Sequence, residues 1–191
     1  MDWEHVEAPK RAQKALNIAA NWATEQVLQF SSKKTEVVLF TYKRKPDLGP
    51  LKLNGTILKL SKEAKLLGVT LDSKLTWKPH ITRIARKATA ALIQCRQIVG
   101  KSWGIKPPIM KWIYTMMIRP IMAYACVSWV GGINKLYLVR QLTKVQRLAC
   151  LMISSAFPGT PTGALEMLLN IIPINEFIMA EPCRGHTGFP V

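Results

Sequence analysis

Apolar residues repeat along this chain with two different periods, and the change of period divides it. Between Ala8 and Phe30 the positions Leu16, Ala19, Ala23, Val27 and Phe30 recur at helical spacing, which predicts one amphipathic helix. The pattern then turns β-like. Val37 to Phe40 is rich in strand formers, Leu51 to Leu53 and Thr56 to Leu60 flank Asn54-Gly55, and Lys65 to Leu71 is a further strand candidate. Asn-Gly between two such runs predicts a hairpin, because a type I′ turn needs positive φ at both central positions. After Trp77 the helical period returns and persists. Ile84, Ala88, Ala91, Cys95 and Ile98 form one stripe, opened near Pro79 and closed near Gly100. A second helix opens at Pro107-Pro108 and is so apolar that it is expected to be the central, most buried one. A third places Leu138, Leu142, Val145, Ala149 and Met152 on one face. Pro158, Gly159 and Pro161 then break the chain, and Thr162 can cap a last short helix through Leu169. The expected fold is therefore α+β: an N-terminal helix and small antiparallel sheet over residues 1–76, a helical bundle over 77–178, and a divergent, disordered tail over 179–191.

Charge narrows the class of partner. Lys and Arg number 27 against 11 acidic residues, a formal +16 spread along the whole chain, which favours polyanions and nucleic acid first. A membrane surface would call for one gathered basic block. The run Trp112 to Ile133 is long enough to span a bilayer and carries only Arg119 as a charge. A central Arg costs about 2.5 to 3.5 kcal/mol on insertion scales, and Pro120 and Gly131-Gly132 weaken the helix, so a buried core helix is the better account and no membrane partner is expected. Cys95, Cys126, Cys150 and Cys183 stand far apart, as do His5, His80 and His186, so neither a zinc site nor a redox pair is expected. The N-terminus shows no secretory pattern, which implies an intracellular protein of the nucleus or cytoplasm.

The order of elements and the words they carry resemble one family. "FSSKKTEVVLF" (Phe30 to Phe40) resembles the region following the paired-aspartate motif of non-LTR retrotransposon reverse transcriptases. "KLLGVTLDSKLTWKPHI" (Lys65 to Ile81) resembles their Leu-Gly segment, the primer-grip hairpin and thumb entry. "GKSWGIKPPIMKWIYTMMIRPIMAYACVSW" (Gly100 to Trp129) is similar to words of the jockey, I and R1-like elements, and "LTKVQRLACLMI" and "TPTGALEMLLNIIPI" complete the ordered set over about Leu16 to Ile178. The resemblance implies the end of a polymerase palm followed by its thumb.

It also implies roles for particular residues. Lys34 falls on the family's motif D lysine, which could supply a proton to the leaving pyrophosphate in a complete enzyme; the bland alternative is a solvated Lys33-Lys34 loop. Leu67 and Gly68 fall on the primer grip, where a missing side chain lets a backbone approach; otherwise Gly68 is an ordinary turn glycine. A thumb holds a template–primer duplex, an RNA–DNA hybrid or DNA, by its phosphates. Arg83, Arg86, Lys87 and Lys101 gather on the side of their helix away from Ile84, Ala88 and Cys95, and Arg140, Lys144 and Arg147 form a second stripe. Each stripe also reads as the solvated face of an amphipathic helix. Trp77, Trp103, Trp112 and Trp129 are expected mostly in the core.

The residues that such a polymerase needs for its two Mg²⁺ ions are not in this sequence. It contains no Asp-Asp, and its only aspartates are Asp2, Asp47 and Asp72, so the chain is expected to hold no cofactor and to be inactive alone. Two alternatives stay open: a stand-alone basic nucleic-acid-binding module, or an interaction protein that completes a palm on another chain. The strands of a partial palm are also expected to leave an unpaired edge that favours aggregation.

Overall fold

The computed structural model describes residues 4–42, 49–97 and 106–184. It is α+β, and it falls into two compact units, Met1–Thr76 and Trp77–Val191.

The first unit opens with α1 (Glu4–Glu25). The helix stops five residues short of Phe30 because Val27 turns left-handed (φ 57°) and the Leu28 amide reaches back to the Ala23 carbonyl at 2.7 Å. This closure usually employs glycine, so a β-branched residue there is not a legible stop signal. Six short strands follow: β1 (Glu36–Val38), β2 (Lys52–Leu53), β3 (Thr56–Ile57), β4 (Lys59–Ser61), β5 (Glu63–Leu66) and β6 (Val69–Asp72). They form three separate ladders where one antiparallel sheet was expected. β2 and β3 are the hairpin predicted around Asn54-Gly55, with φ of 49° and 77° at the turn. β5 and β6 are a second antiparallel hairpin, which divides the run Lys65 to Leu71 at Leu67-Gly68. β1 pairs in parallel with β4, Val37 opposite Leu60, because the long connection through β2 and β3 acts as the crossover that a parallel pair requires. The Gln13 side chain holds the edge of β2: its amide donates to the Lys52 carbonyl at 2.8 Å and accepts from the Lys52 amide at 2.9 Å.

The second unit is a helical bundle. Its elements are α2 (Lys78–Gln97), α3 (Pro107–Ile113), a π-helical turn (Tyr114–Ile118), α4 (Arg119–Ala123), α5 (Cys126–Trp129), a 3₁₀ segment (Val130–Asn134), α6 (Leu136–Ser154), α7 (Thr162–Leu168) and α8 (Ile174–Arg184). The π turn has a local cause in Pro120, which has no N–H for the Met116 carbonyl and whose ring would press against it. The chain widens, and the Arg119 amide bonds the Tyr114 carbonyl five residues back. Left-handed Ala125 (φ 54°) then ends α4 and bends the next helix by 48°. Among the described residues no single helix is long and apolar enough to cross a membrane.

The core joins Ile81, Ala88 and Leu92 of α2 to Leu138, Leu142, Ala149 and Ile153 of α6, with Trp129, Ile171, Ile174 and Ile178 around them. Each large apolar side chain so buried contributes roughly 1.5–3 kcal/mol. The α3 to α4 segment buries Met110, Tyr114, Ile118 and Met122, one face only, and is not the all-round buried centre expected from its composition. Gln146 is the hub of the polar contacts in the core. Tyr114 donates its hydroxyl to Gln146 Oε1 at 2.6 Å, while Gln146 Nε2 donates to Glu166 at 2.6 Å and to the Ile172 carbonyl at 3.2 Å. Arg119 is buried with its guanidinium 4.3 Å from the Phe177 ring centroid, and it donates to the same Ile172 carbonyl. Residues 179–184, expected in an irregular tail, continue α8, because Ile174 and Ile178 anchor that helix in the core and Phe177 packs against it.

Candidate nucleic-acid interface

Lys34 lies in the turn between α1 and β1. The Ser31 carbonyl accepts the Lys34 amide at 3.0 Å, the Thr35 amide at 3.1 Å and the Thr35 hydroxyl at 2.9 Å, which tightens the turn and leaves the Lys34 side chain exposed. A cation on a short rigid turn can reach a phosphate without ordering a long loop. No group of three or more His, Cys, Asp or Glu able to hold a metal ion occurs among the described residues. Asp72 serves a turn, its Oδ2 accepting from the Thr76 amide at 3.1 Å and hydroxyl at 3.0 Å.

Leu67 and Gly68 form the tip of the β5–β6 hairpin with φ of 45° and 84°, the pattern of a type I′ turn. A leucine is costly there, since left-handed backbone disfavours any side chain with a Cβ by roughly 1–2 kcal/mol. It is also 86 % exposed, so its packing does not repay the strain. Strain of this kind collects at sites of contact.

The basic residues separate into two groups. α2 and α6 lie side by side and run the same way: Thr82 donates to Gln141 at 3.1 Å near one end, and Arg96 shares a groove of about 340 Å³ with Leu148 and Met152 near the other. One turn beyond that contact stand Arg86 on α2 and Lys144 on α6. With 100° per residue and the core on one side, both point to the outer side of the seam between the helices, Arg140 stands one turn before Lys144, and Lys87, 100° round from Arg86, faces away from α6. All four are exposed. Arg83 and Arg147 do not join them. Arg83 is half-buried, its Nη2 3.5 Å from His80 Nδ1. Arg147 is tied to the α6–α7 loop, donating to the Thr160 carbonyl at 2.7 Å, the Thr162 hydroxyl at 2.8 Å and the Pro158 carbonyl. Even spacing along a helix does not show that a loop folds back onto one of its arginines. Lys101 lies outside the described residues.

Every charged residue between Ser73 and Leu165, the stretch that carries both helices, is Lys or Arg. The buried titratable groups respond to desolvation. His80 is held below its ordinary value by burial and then by Arg83. Burial, followed by Glu166, pushes the Cys150 thiol up to about 11, which leaves it protonated and unreactive. Trp129 is fully buried and Trp77 half-buried, but Trp112 stands in solvent, and Trp103 lies outside the described residues.

Known proteins are similar to this chain in sequence. Over 124 residues, 64% of the chain, it is 30% identical to the probable RNA-directed DNA polymerase from transposon BS of Drosophila melanogaster, of which the match covers 14%. Over 184 residues, 93% of the chain, it is 22% identical to the retrovirus-related Pol polyprotein from type-1 retrotransposable element R1 of Nasonia vitripennis, covering 54% of that protein. A putative 115 kDa protein in the Drosophila melanogaster element R1DM is 22% identical over 180 residues, 92% of the chain and 17% of its own length. The chain is thus related to the RNA-directed DNA polymerases of retrotransposable elements. Within that class its similarity is to the non-LTR elements of R1 and jockey type, and it spans one part of their length. No protein-family model and no solved structure matches it.

Proposed function

We propose that this chain is the duplex-holding part of a retrotransposon-encoded RNA-directed DNA polymerase, with the outer side of α2 and α6 as a thumb surface for an RNA–DNA hybrid or a DNA duplex. One observation carries this: the exposed Arg86 and Lys144 stand on the outer side of the paired helices α2 and α6, Arg140 is one turn away, and every charged residue between Ser73 and Leu165 is basic. Phosphate contacts hold a duplex without reading it, as copying any template requires. In a complete enzyme the Leu67-Gly68 tip would lie against the primer and Lys34 near the triphosphate. Two-metal chemistry needs converging carboxylates, and the described residues do not fit it, since Asp72 already serves a turn. The chain alone therefore does not extend a primer; palm and fingers portions would supply that site. The apolar Ile18 and Trp22, exposed on α1, favour such a partner over the first unit.

The test is affinity for hybrid, duplex and single strand across a salt series. Log affinity should fall linearly with log salt, and Arg86→Ala and Lys144→Ala should each flatten the slope by about 0.9. Arg147→Ala should leave it unchanged. A slope indifferent to Arg86 and Lys144 would sink the proposal, and Mg²⁺-dependent primer extension by the purified chain would sink its inactivity.

A further inference from the structure

The helix from Pro107 to Ala123 buries Met110, Tyr114, Ile118 and Met122 at every fourth position, yet its opposite side is equally apolar. Ile109, Trp112, Met116 and Met117 are 51%, 58%, 61% and 56% exposed. A helix apolar all round is ordinarily covered all round, so this uncovered side calls for an occupant. Met116 and Met117, both exposed, lie within the π turn, and such turns recur at functional sites. Lys106 and Lys111 lie at its margin in the same acid-free stretch, which favours an anionic occupant. Among these residues Trp112 alone offers a flat ring, and it is more than half exposed. A flat ring needs only a flat ring to stack on.

We infer that this side of the helix is a second nucleic-acid contact, where an unpaired strand of RNA or DNA stacks a base on the Trp112 indole and leaves its phosphates to Lys106 and Lys111. The inference rests on the proposed nucleic-acid role but uses a surface separate from that of α2 and α6. Stacking tolerates any base, which suits a strand beside a copied duplex.

The test measures binding of the full chain to oligo(dT), oligo(rU) and a DNA duplex at one salt concentration, for the unchanged protein, Trp112→Phe and Trp112→Leu. Trp112 is exposed, so neither variant disturbs the core. Leucine keeps the apolar character and removes the ring, and should weaken single-strand binding about tenfold. Phenylalanine should keep most of it, and duplex affinity should not move. A larger loss on oligo(rU) would identify RNA as the strand, and one on oligo(dT) would identify DNA. Duplex binding with single-strand binding unmoved by Trp112→Leu overturns the inference alone. An equal loss on all probes overturns the separate site, and failure of Trp112→Phe overturns stacking. If Trp112→Leu only abolishes self-association, this side joins copies of the chain and the inference fails. Absence of all binding overturns the proposed function with it.

Discussion

Leu67 and Asn54 hold the same place in two hairpins of one unit, each left-handed and each followed by glycine with φ of 84° or 77°. Asparagine tolerates that conformation and leucine does not, so Leu67→Asn should stabilise the chain by roughly 0.5–1 kcal/mol, read as a raised urea midpoint at unchanged m-value. If the tip meets a primer, the same change should weaken hybrid binding, and a gain in both would argue against a contact there. Gln146 behaves in the opposite way. It is fully buried and satisfies the Tyr114 hydroxyl, the Glu166 carboxylate and the Ile172 carbonyl at once. Gln146→Leu should cost about 2–3 kcal/mol in urea unfolding, and Tyr114→Phe about 1, with the double variant losing less than the two together. His80 adds a pH dependence. Its folded-state value lies below the ordinary 6.5, so the unfolded chain takes up the proton first as pH falls. Stability should be full above 6.5 and decline below it until the folded value is passed, a decline that thermal unfolding of His80→Asn should not show.

At the scale of elements the bundle is legible in the sequence, since the stripe Leu138, Leu142, Val145, Ala149 is buried as its spacing requires. The interruptions are less so. Val27, Leu67 and Ala125 are left-handed without being glycine, and nothing in those residue types signals that state. Pro120 announces a break but not that the helix widens and continues. Of the site, the exposed cations are legible and their separation is not, because Arg147 sits in the same helical stripe as Arg140 and Lys144 yet turns to carbonyls thirteen and eleven residues onward. Hydrogen bonds to a charged donor are worth about 1.5–3 kcal/mol. Arg147→Ala should therefore speed amide exchange through Thr160 to Leu165 and leave α2 protected. Arg147→Lys should rescue little, since an ammonium cannot span three acceptors as a planar guanidinium does. Uniform acceleration across the bundle would show that the loop is not held by this residue.

At the scale of the whole molecule two forces compete. A formal +16 keeps copies apart, while Ile18, Trp22, Leu28 and Phe30 in one unit and Trp112, Met116, Met167 and Leu168 in the other leave apolar surface in water. Repulsion between exposed charges is screened over about 10 Å at 0.1 M salt and 3 Å at 1 M, whereas apolar attraction is not weakened by salt. Adding salt to the free chain should therefore raise light scattering and sedimenting mass. The same salt should release bound duplex, because counterion release reverses. The two responses have opposite sign, and their order separates two kinds of molecule. If sub-stoichiometric duplex lowers scattering at low salt and loses that effect as salt rises, nucleic acid covers the cationic surface and keeps the chains apart. If scattering falls as salt rises, with or without duplex, association is electrostatic between chains, and apolar surface is not what drives it.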